Sequence, residues 1–318
     1  MKILFITLSN IGDVILTLPV LSALKDNFPD AAIDVVVGPR PKDIFAKDPK
    51  IRDTFIYNKH AGLKEKSRFI SKLRKRRYDL AVDMRSSLLP FLIGAKKKTS
   101  FLFLGKKQLK HKRFTHLDKL KSLFIEYKDR VNVYIDRHDR EKVGNLLLEK
   151  GLEKEDVLIG VSPSCRSPIK EWDRLGFIEV ISCLLKERKC KVVLVGDDSQ
   201  VNISREITAA VNSKDLIDLT GKVSLNELFA LVERMQVLLT CDSACLHIAS
   251  DLKIKVVSIF GPTDSREYGP TGKNDIVIRR DITCSPCKKA RCIFSHECMS
   301  GINQDEVLNA MLKALKNG

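Results

Sequence analysis

Ser9-Asn10-Ile11-Gly12-Asp13 separates the apolar run Ile3-Leu4-Phe5-Ile6 from a stretch in which Val14, Leu18, Leu21 and Leu24 recur at helical spacing. A short apolar run closed by Ser and Asn reads as a buried strand, and the spacing that follows reads as an amphipathic helix. Gly12 is expected to make the corner, because glycine enters unusual backbone conformations without steric cost. Asp13 then falls in the first turn of a helix, at the carboxyl end of the first strand. In open parallel α/β sheets that edge is where ligands bind. A carboxylate there has two readings. One is a helix-start residue satisfying backbone N–H groups and the dipole. The other is a general base projecting into a cleft.

Outward from this turn the chain alternates strand and helix. Strands are expected over Ile33–Val37, Thr54–Tyr57, Leu80–Asp83 and Ser100–Leu104, with Asp83-Met84-Arg85-Ser86-Ser87 at the ligand edge after the third of these. Helices are expected over Arg113–Tyr127 and His138–Lys150, and Ala61–Arg77 reads as either a helix or a basic flap. The second half repeats the alternation, with strands at Val157–Val161, Lys191–Val195, Leu216–Leu219, Val237–Thr240 and Lys255–Ile259. Strands separated by helices argue a doubly wound parallel sheet in each half. The expected division is a first domain over residues 1–150, a second over 151–302, and a final helix over 303–318 capped by Asn303.

The chain has 318 residues, long for a single core. No apolar run approaches the roughly 18 residues needed to cross a bilayer. Asp13 interrupts the apolar start and no small-residue cleavage site follows, so a signal peptide is not expected and the reading is cytoplasmic. The net charge of +16 is uneven: residues 1–140 hold 31 Lys/Arg against 15 Asp/Glu, and residues 141–318 hold 25 against 25. The excess sits in Lys64–Arg77, which includes Arg74, in Lys96-Lys97-Lys98 and in Lys106–Arg113. Such a field attracts a polyanion: nucleic acid, an anionic membrane face or a phosphorylated acceptor. The same charge also serves a merely solvated surface. Aromatic residues are sparse among these bases, which disfavours single-strand nucleic-acid binding.

No Gly-x-Gly-x-x-Gly follows a first strand, and no Walker sequence is present. Thr240-Cys241-Asp242-Ser243-Ala244-Cys245-Leu246-His247 follows an apolar strand and opens a helix of small residues. Backbone N–H groups from Ser243 onward form an anion site suited to a diphosphate, with His247 one turn in. An ordinary N-cap with a satisfied histidine is the plainer reading. Ser164, Cys165 and Lys170 lie in the loop Ser162–Trp172, whose small donors and cations suit phosphates, and Trp172 is read as a core anchor. Four of nine cysteines cluster as Cys284-x2-Cys287-x4-Cys292-x5-Cys298. Four thiols at this spacing read as reduced structural thiols, with a structural zinc or iron–sulfur site as the lesser alternative.

Ile11-Gly12-Asp13-Val14-Ile15-Leu16-Thr17-Leu18-Pro19 resembles the N-terminal signature of glycosyltransferase family 9, the lipopolysaccharide heptosyltransferases. Lys170-x-Trp172, Thr220-Gly221-Lys222-x-Ser224-Leu225, Asp242-Ser243-x-x-x-His247, Phe260-Gly261-Pro262-Thr263 and Tyr268-Gly269-Pro270 fall in the family's order. The resemblance implies a GT-B fold: two Rossmann-like doubly wound domains facing a central cleft, with the final helix packing back on the N-terminal domain. It implies inverting transfer from ADP-heptose to an anionic, lipid-linked core oligosaccharide at the inner face of the cytoplasmic membrane, with no cofactor required for catalysis. Asp13 matches the family's proposed base. Ser164, Cys165, Lys170, Asp242, Ser243, Ala244 and His247 match the donor and phosphate contacts, and Gly12, Arg85, Lys64 and Arg74 are the candidate acceptor contacts. Two departures stand out. Ala244 replaces a usual glycine, and Cys165 stands where small hydroxyl residues are frequent. A different sugar or surface polysaccharide, or a basic nucleic-acid-binding protein, is the alternative.

Overall fold

The structure is a computed structural model that describes residues 1–99, 109–153 and 155–316. The expected strand over Ser100–Leu104, and Gly318 beyond the last helix, lie outside the described residues. Two compact units are present, Met1–Tyr134 and Ile135–Gly318.

In the first unit, β1 (Lys2–Ile6) is buried at every position but Lys2. It is followed by α1 (Ile11–Ile15), α2 (Leu18–Asn27), β2 (Ala32–Val37), β3 (Ile51–Ile56), α3 (Leu63–Arg74), β4 (Leu80–Asp83), α4 (Leu89–Leu92), the short β5 (Lys97–Lys98) and α5 (Lys112–Leu117). All pairings are parallel, in the order β3-β2-β1-β4-β5. Val14, Leu18, Leu21 and Leu24, the helical repeat read from the sequence, are buried. Ala61–Arg77 is resolved as the helix α3, whose Leu73 joins Leu4, Ile6, Val36, Phe55 and Tyr78 in the core, with Phe69 and Ile70 packed against it. The helix expected over Arg113–Tyr127 is shorter: α5 passes into a 3-10 turn that ends at Phe124 in the left-handed region, φ 54°.

One buried polar cluster ties β2 to β3 and to the turn before β4. Asp34, fully buried on β2, accepts from Arg52 Nε at 2.8 Å and Nη2 at 2.5 Å, and from Tyr78 Oη at 2.6 Å. Burial pushes the Tyr78 phenol well above its ordinary value, so it stays a donor at any accessible pH. Asp34→Ala removes the shared acceptor and strands both donors, and is expected to cost about 3 kcal/mol. The check is an earlier urea transition of the first unit. An unchanged midpoint would show that the cluster is dispensable.

The second unit starts earlier than expected, at α6 (Arg137–Glu149), which the sequence reading had assigned to the first domain. Its Val143 and Leu147 are buried, and it lies against α9 (Leu225–Glu233), with Arg140 paired to Glu233 at 2.6 Å and Lys142 paired to Glu227. Between and beyond these helices come β6 (Val157–Ser162), α7 (Arg174–Glu187), β7 (Cys190–Leu194), α8 (Val201–Val211) and β8 (Leu216–Asp218). Then follow β9 (Val237–Cys241), α10 (Ala244–Asp251), β10 (Lys255–Phe260), α11 (Ser265–Tyr268), β11 (Ile276–Arg279), α12 (Glu297–Ser300) and α13 (Gln304–Lys316). The six-stranded parallel sheet runs β11-β10-β9-β6-β7-β8. The expected capping box is formed: Ser224 Oγ accepts from Glu227 N at 3.3 Å, and Glu227 Oε2 accepts from Ser224 N at 2.6 Å.

Trp172 is the anchor the sequence suggested. Its ring meets Phe177 edge-on at 5.0 Å, and Nε1 donates to Ile302 O at 3.1 Å. The terminal helix α13 carries an apolar stripe. Val307, Met311 and Ala314 are buried with Phe177, Val257 and Ile259, so the apolar stripe of α13 is filled by α7, β9 and β10 of the second unit.

Candidate active site

Each sheet reverses its strand order once, between β1 and β4 in the first unit and between β6 and β9 in the second. Loops leaving the carboxyl ends of those strands diverge to opposite faces and leave a crevice for a ligand. The motifs singled out in the sequence fall at these two points.

In the first unit Asn10 is extended, φ −103° and ψ 147°, and precedes α1. Gly12 lies inside α1 and is not among the glycines with positive φ, which are Gly94, Gly151 and Gly221. The corner is thus made by Ser9 and Asn10, not by Gly12. Asp13 sits half-buried in the first turn, its Oδ2 accepting from Asn10 Nδ2 at 2.9 Å. The adjoining loop is tightly built: a Cβ on Gly38, at the end of β2, would meet Ser9 Cα at 2.8 Å.

The loop after β4 is shaped by Asp83, which accepts from Arg85 N, Ser87 N and Ser87 Oγ, each at 2.7 Å. Lys119 Nζ closes it from outside, donating to Asp83 O at 2.8 Å and Ser86 Oγ at 2.9 Å. Arg85 spans the crevice to the Asp13 loop. Its Nη1 donates to Ser9 Oγ at 3.4 Å, and its guanidinium lies 5.2 Å over the Tyr57 ring. Arg85 and Asp13 are therefore brought to one edge. Lys64 is at the start of α3, which leaves the same carboxyl edge, whereas Arg74 is in the last turn. Ten residues of helix put about 15 Å between them. Arg74 is carried toward the amino ends of the strands and is not brought to the crevice.

In the second unit the ion pair Lys170 Nζ–Asp242 Oδ2, at 2.6 Å, joins the loop after β6 to the loop after β9. The Asp242 side chain is 7% exposed and Lys170 31%, and His247 Nε2 lies 4.0 Å from Asp242 Oδ1. Ser243 is the N-cap of α10: its Oγ accepts from Leu246 N at 3.5 Å and shares a 2.9 Å hydrogen bond with Thr240 Oγ1. Ala244 is the first helical residue and has no positive φ, so alanine is unstrained in place of glycine.

The sequence reading passed over Glu171. Its Oε1 accepts from Ser164 Oγ at 2.5 Å and from Cys165 N at 3.2 Å. The two groups expected to donate to phosphate are thus held by a carboxylate, and the cationic end of this loop is Lys170. A glutamate between a cation and a buried tryptophan was the available signal. Asp197 and Asp198, at the carboxyl end of β7, were also passed over. Asp197 caps a turn by accepting from Ser199 N at 2.9 Å.

Burial pushes the Cys165 thiol up to about 12. It therefore stays protonated through neutral pH and is a poor nucleophile. Iodoacetamide at pH 8 is expected to label exposed Cys292 first and to leave Cys165 unlabelled until the chain is denatured. Peptide mass mapping checks this, and native-state labelling of Cys165 would contradict it.

Among the described residues no three His, Cys, Asp or Glu side chains are gathered to hold a metal ion. Cys298 is instead turned into the core on α12: a Cβ on Gly261 would meet its Sγ at 2.9 Å. Cys284 and Cys287 are half-buried in a loop that bonds back to the chain after β10, through Ser285 Oγ to Gly261 O at 2.6 Å and Lys288 N to Pro262 O at 2.8 Å.

Two parallel Rossmann-like sheets, each with charged side chains gathered at its switch point, are the architecture of the GT-B fold. The family model for glycosyltransferase family 9 (heptosyltransferase) matches residues 66–297, and the chain belongs to that family. It is 31% identical over 293 residues to lipopolysaccharide heptosyltransferase 3 of Escherichia coli K12, covering 83% of this chain and 84% of that protein. The fold matches a family 9 glycosyltransferase structure from Veillonella parvula with TM-score 0.88 at 22% identity, covering 100% and 98% of the two chains. It also matches E. coli ADP-heptose lps heptosyltransferase II with TM-score 0.79 at 22% identity, covering 100% and 99%.

Proposed function

We propose that this glycosyltransferase moves a heptose from ADP-heptose to an anionic, lipid-linked core oligosaccharide, with inversion, at the inner face of the cytoplasmic membrane. The observation that carries the reading is the pairing of chemistries on the two switch points. One has a half-buried carboxylate beside an arginine, and the other has a lysine and a helix N-terminus. The names of the relatives, heptosyltransferase 3 and ADP-heptose lps heptosyltransferase II, support the donor and the acceptor class.

In this reading the first unit takes the acceptor and the second the donor. Asp13 accepts the proton of the acceptor hydroxyl as its oxygen attacks the anomeric carbon. The bond from that carbon to the diphosphate oxygen breaks in the same step. Lys170 and the N–H groups at the start of α10 stabilise the charge that builds on the departing ADP. Arg85 and Lys64, with the surplus of bases in the first half, hold the anionic acceptor. Membrane association in this reading is peripheral; among the described residues no helix is long and apolar enough to cross a membrane.

The test is transfer from ADP-heptose to a Kdo-lipid A acceptor, followed by mass spectrometry of the product. A product heavier by one heptose supports the reading. Binding of ADP-heptose without transfer to this or any longer core acceptor would overturn it.

A further inference from the structure

We propose that the tip of the first unit formed by α4 is a docking surface for an anionic lipid bilayer. This rests on the reading that the acceptor is lipid-linked, and it names the part of the protein that meets the lipid.

The helix α4 is apolar on two sides. One side is used by the fold: Leu89 packs against the core and Pro90 is buried, as are Ile93 and Ala95 just after the helix. The other side is not, for Leu88, Phe91 and Leu92 are 58%, 50% and 50% exposed. A helix apolar all round belongs in an apolar environment on both sides. Exposed large apolar side chains that are adjacent, rather than scattered, mark a surface that meets something.

The charge around the tip says what that is. Residues 85–98 hold Arg85, Lys96, Lys97 and Lys98 and no Asp or Glu, and among the described residues only Lys96 of the three lysines is paired with an acid, Asp79, at 2.8 Å. Lys98 Nζ lies 4.9 Å over the Phe91 ring, so cation and apolar side chain share one surface. The neighbouring α3, which lies against α4, carries five Lys/Arg against the single acid Glu65, and Leu63 at its start is 88% exposed. An apolar wedge collared by bases is complementary to the acyl boundary and anionic headgroups of a bilayer. It does not suit a nucleic acid, since two of the three side chains are leucines that offer no stacking face. The tip also follows directly on the Asp83–Ser87 loop of the crevice. Docking it would bring the candidate acceptor contact Arg85 to the lipid surface.

The experiment is co-sedimentation with vesicles of phosphatidylglycerol and phosphatidylcholine, against vesicles of phosphatidylcholine alone. The wild type is expected to partition onto the anionic vesicles only. Leu88→Ser/Phe91→Ser/Leu92→Ser is expected to lower that partitioning by at least about tenfold. Lys96→Gln/Lys97→Gln is expected to lower it as well and to reduce its salt sensitivity. Transfer to a water-soluble, deacylated acceptor is expected to be unchanged in the triple serine variant. Undiminished partitioning of the triple serine variant would overturn the proposal, as would wild-type binding to RNA but not to vesicles. Intact vesicle binding with no transfer to any acceptor would overturn the transferase reading and leave the docking surface standing.

Discussion

Asp13→Asn is expected to lower kcat by about 10²- to 10⁴-fold while leaving ADP-heptose affinity within a small factor of wild type. Asparagine keeps the shape and can still hydrogen-bond Asn10, whose Nδ2 now meets Asp13 Oδ2 at 2.9 Å. It cannot take a proton. The donor contacts assigned to Lys170 and Ser243 lie in the other unit, so a base acting on the acceptor is lost without disturbing them. Single-turnover rates and calorimetric titration of donor give the two quantities separately. The plainer role, a carboxylate favouring the first turn of α1, predicts something else: a loss of stability of a few tenths to about 1 kcal/mol and an almost unchanged rate. A variant that turns over at the wild-type rate would remove Asp13 from the mechanism and leave the crevice without a base.

How much of this was visible beforehand depended on the range of the interaction concerned. The β1 to α2 stretch was legible because its signals are local: four buried positions in a row, then Val14, Leu18, Leu21 and Leu24 on one helical face. The Ser224–Glu227 capping box was legible for the same reason, since both of its hydrogen bonds close within three residues. Gly12 was misread because glycine marks permissive backbone without requiring it, and here the helix simply runs through it. The start of the second unit was misread because it depends on which apolar stripe meets which. Val143 and Leu147 fit α9 only through a contact some eighty residues away. Arg74 was grouped with Lys64 by sequence proximity, and the rise of a helix separates them. The cysteine spacing allowed a metal site, but spacing does not say that Cys298 turns inward against Gly261. Glu171 was invisible for the opposite reason: its partners, Ser164 and Cys165, were already assigned to phosphate.

Lys170→Met is expected to lower kcat by about 10²- to 10³-fold, because it removes the side-chain cation that pairs with Asp242 and that this reading sets against the departing diphosphate. The structure complicates the interpretation of that variant. Lys170 is paired with Asp242, whose carboxylate is 7% exposed and has His247 Nε2 at 4.0 Å. Removing the lysine leaves a nearly buried carboxylate short of its main counter-charge, which by itself perturbs the loop after β9. The double variant Lys170→Met/Asp242→Asn separates the two effects. It removes the stranded charge and is expected to recover thermal stability toward wild type, while the slow rate persists. Lys170→Arg keeps the charge but spreads it over a planar fork, so it is expected to recover part of the rate only. Were the double variant to regain full turnover, the lysine would be a partner for Asp242 and nothing more. The charge on the leaving group would then rest on the N–H groups of α10 alone, behind Ser243.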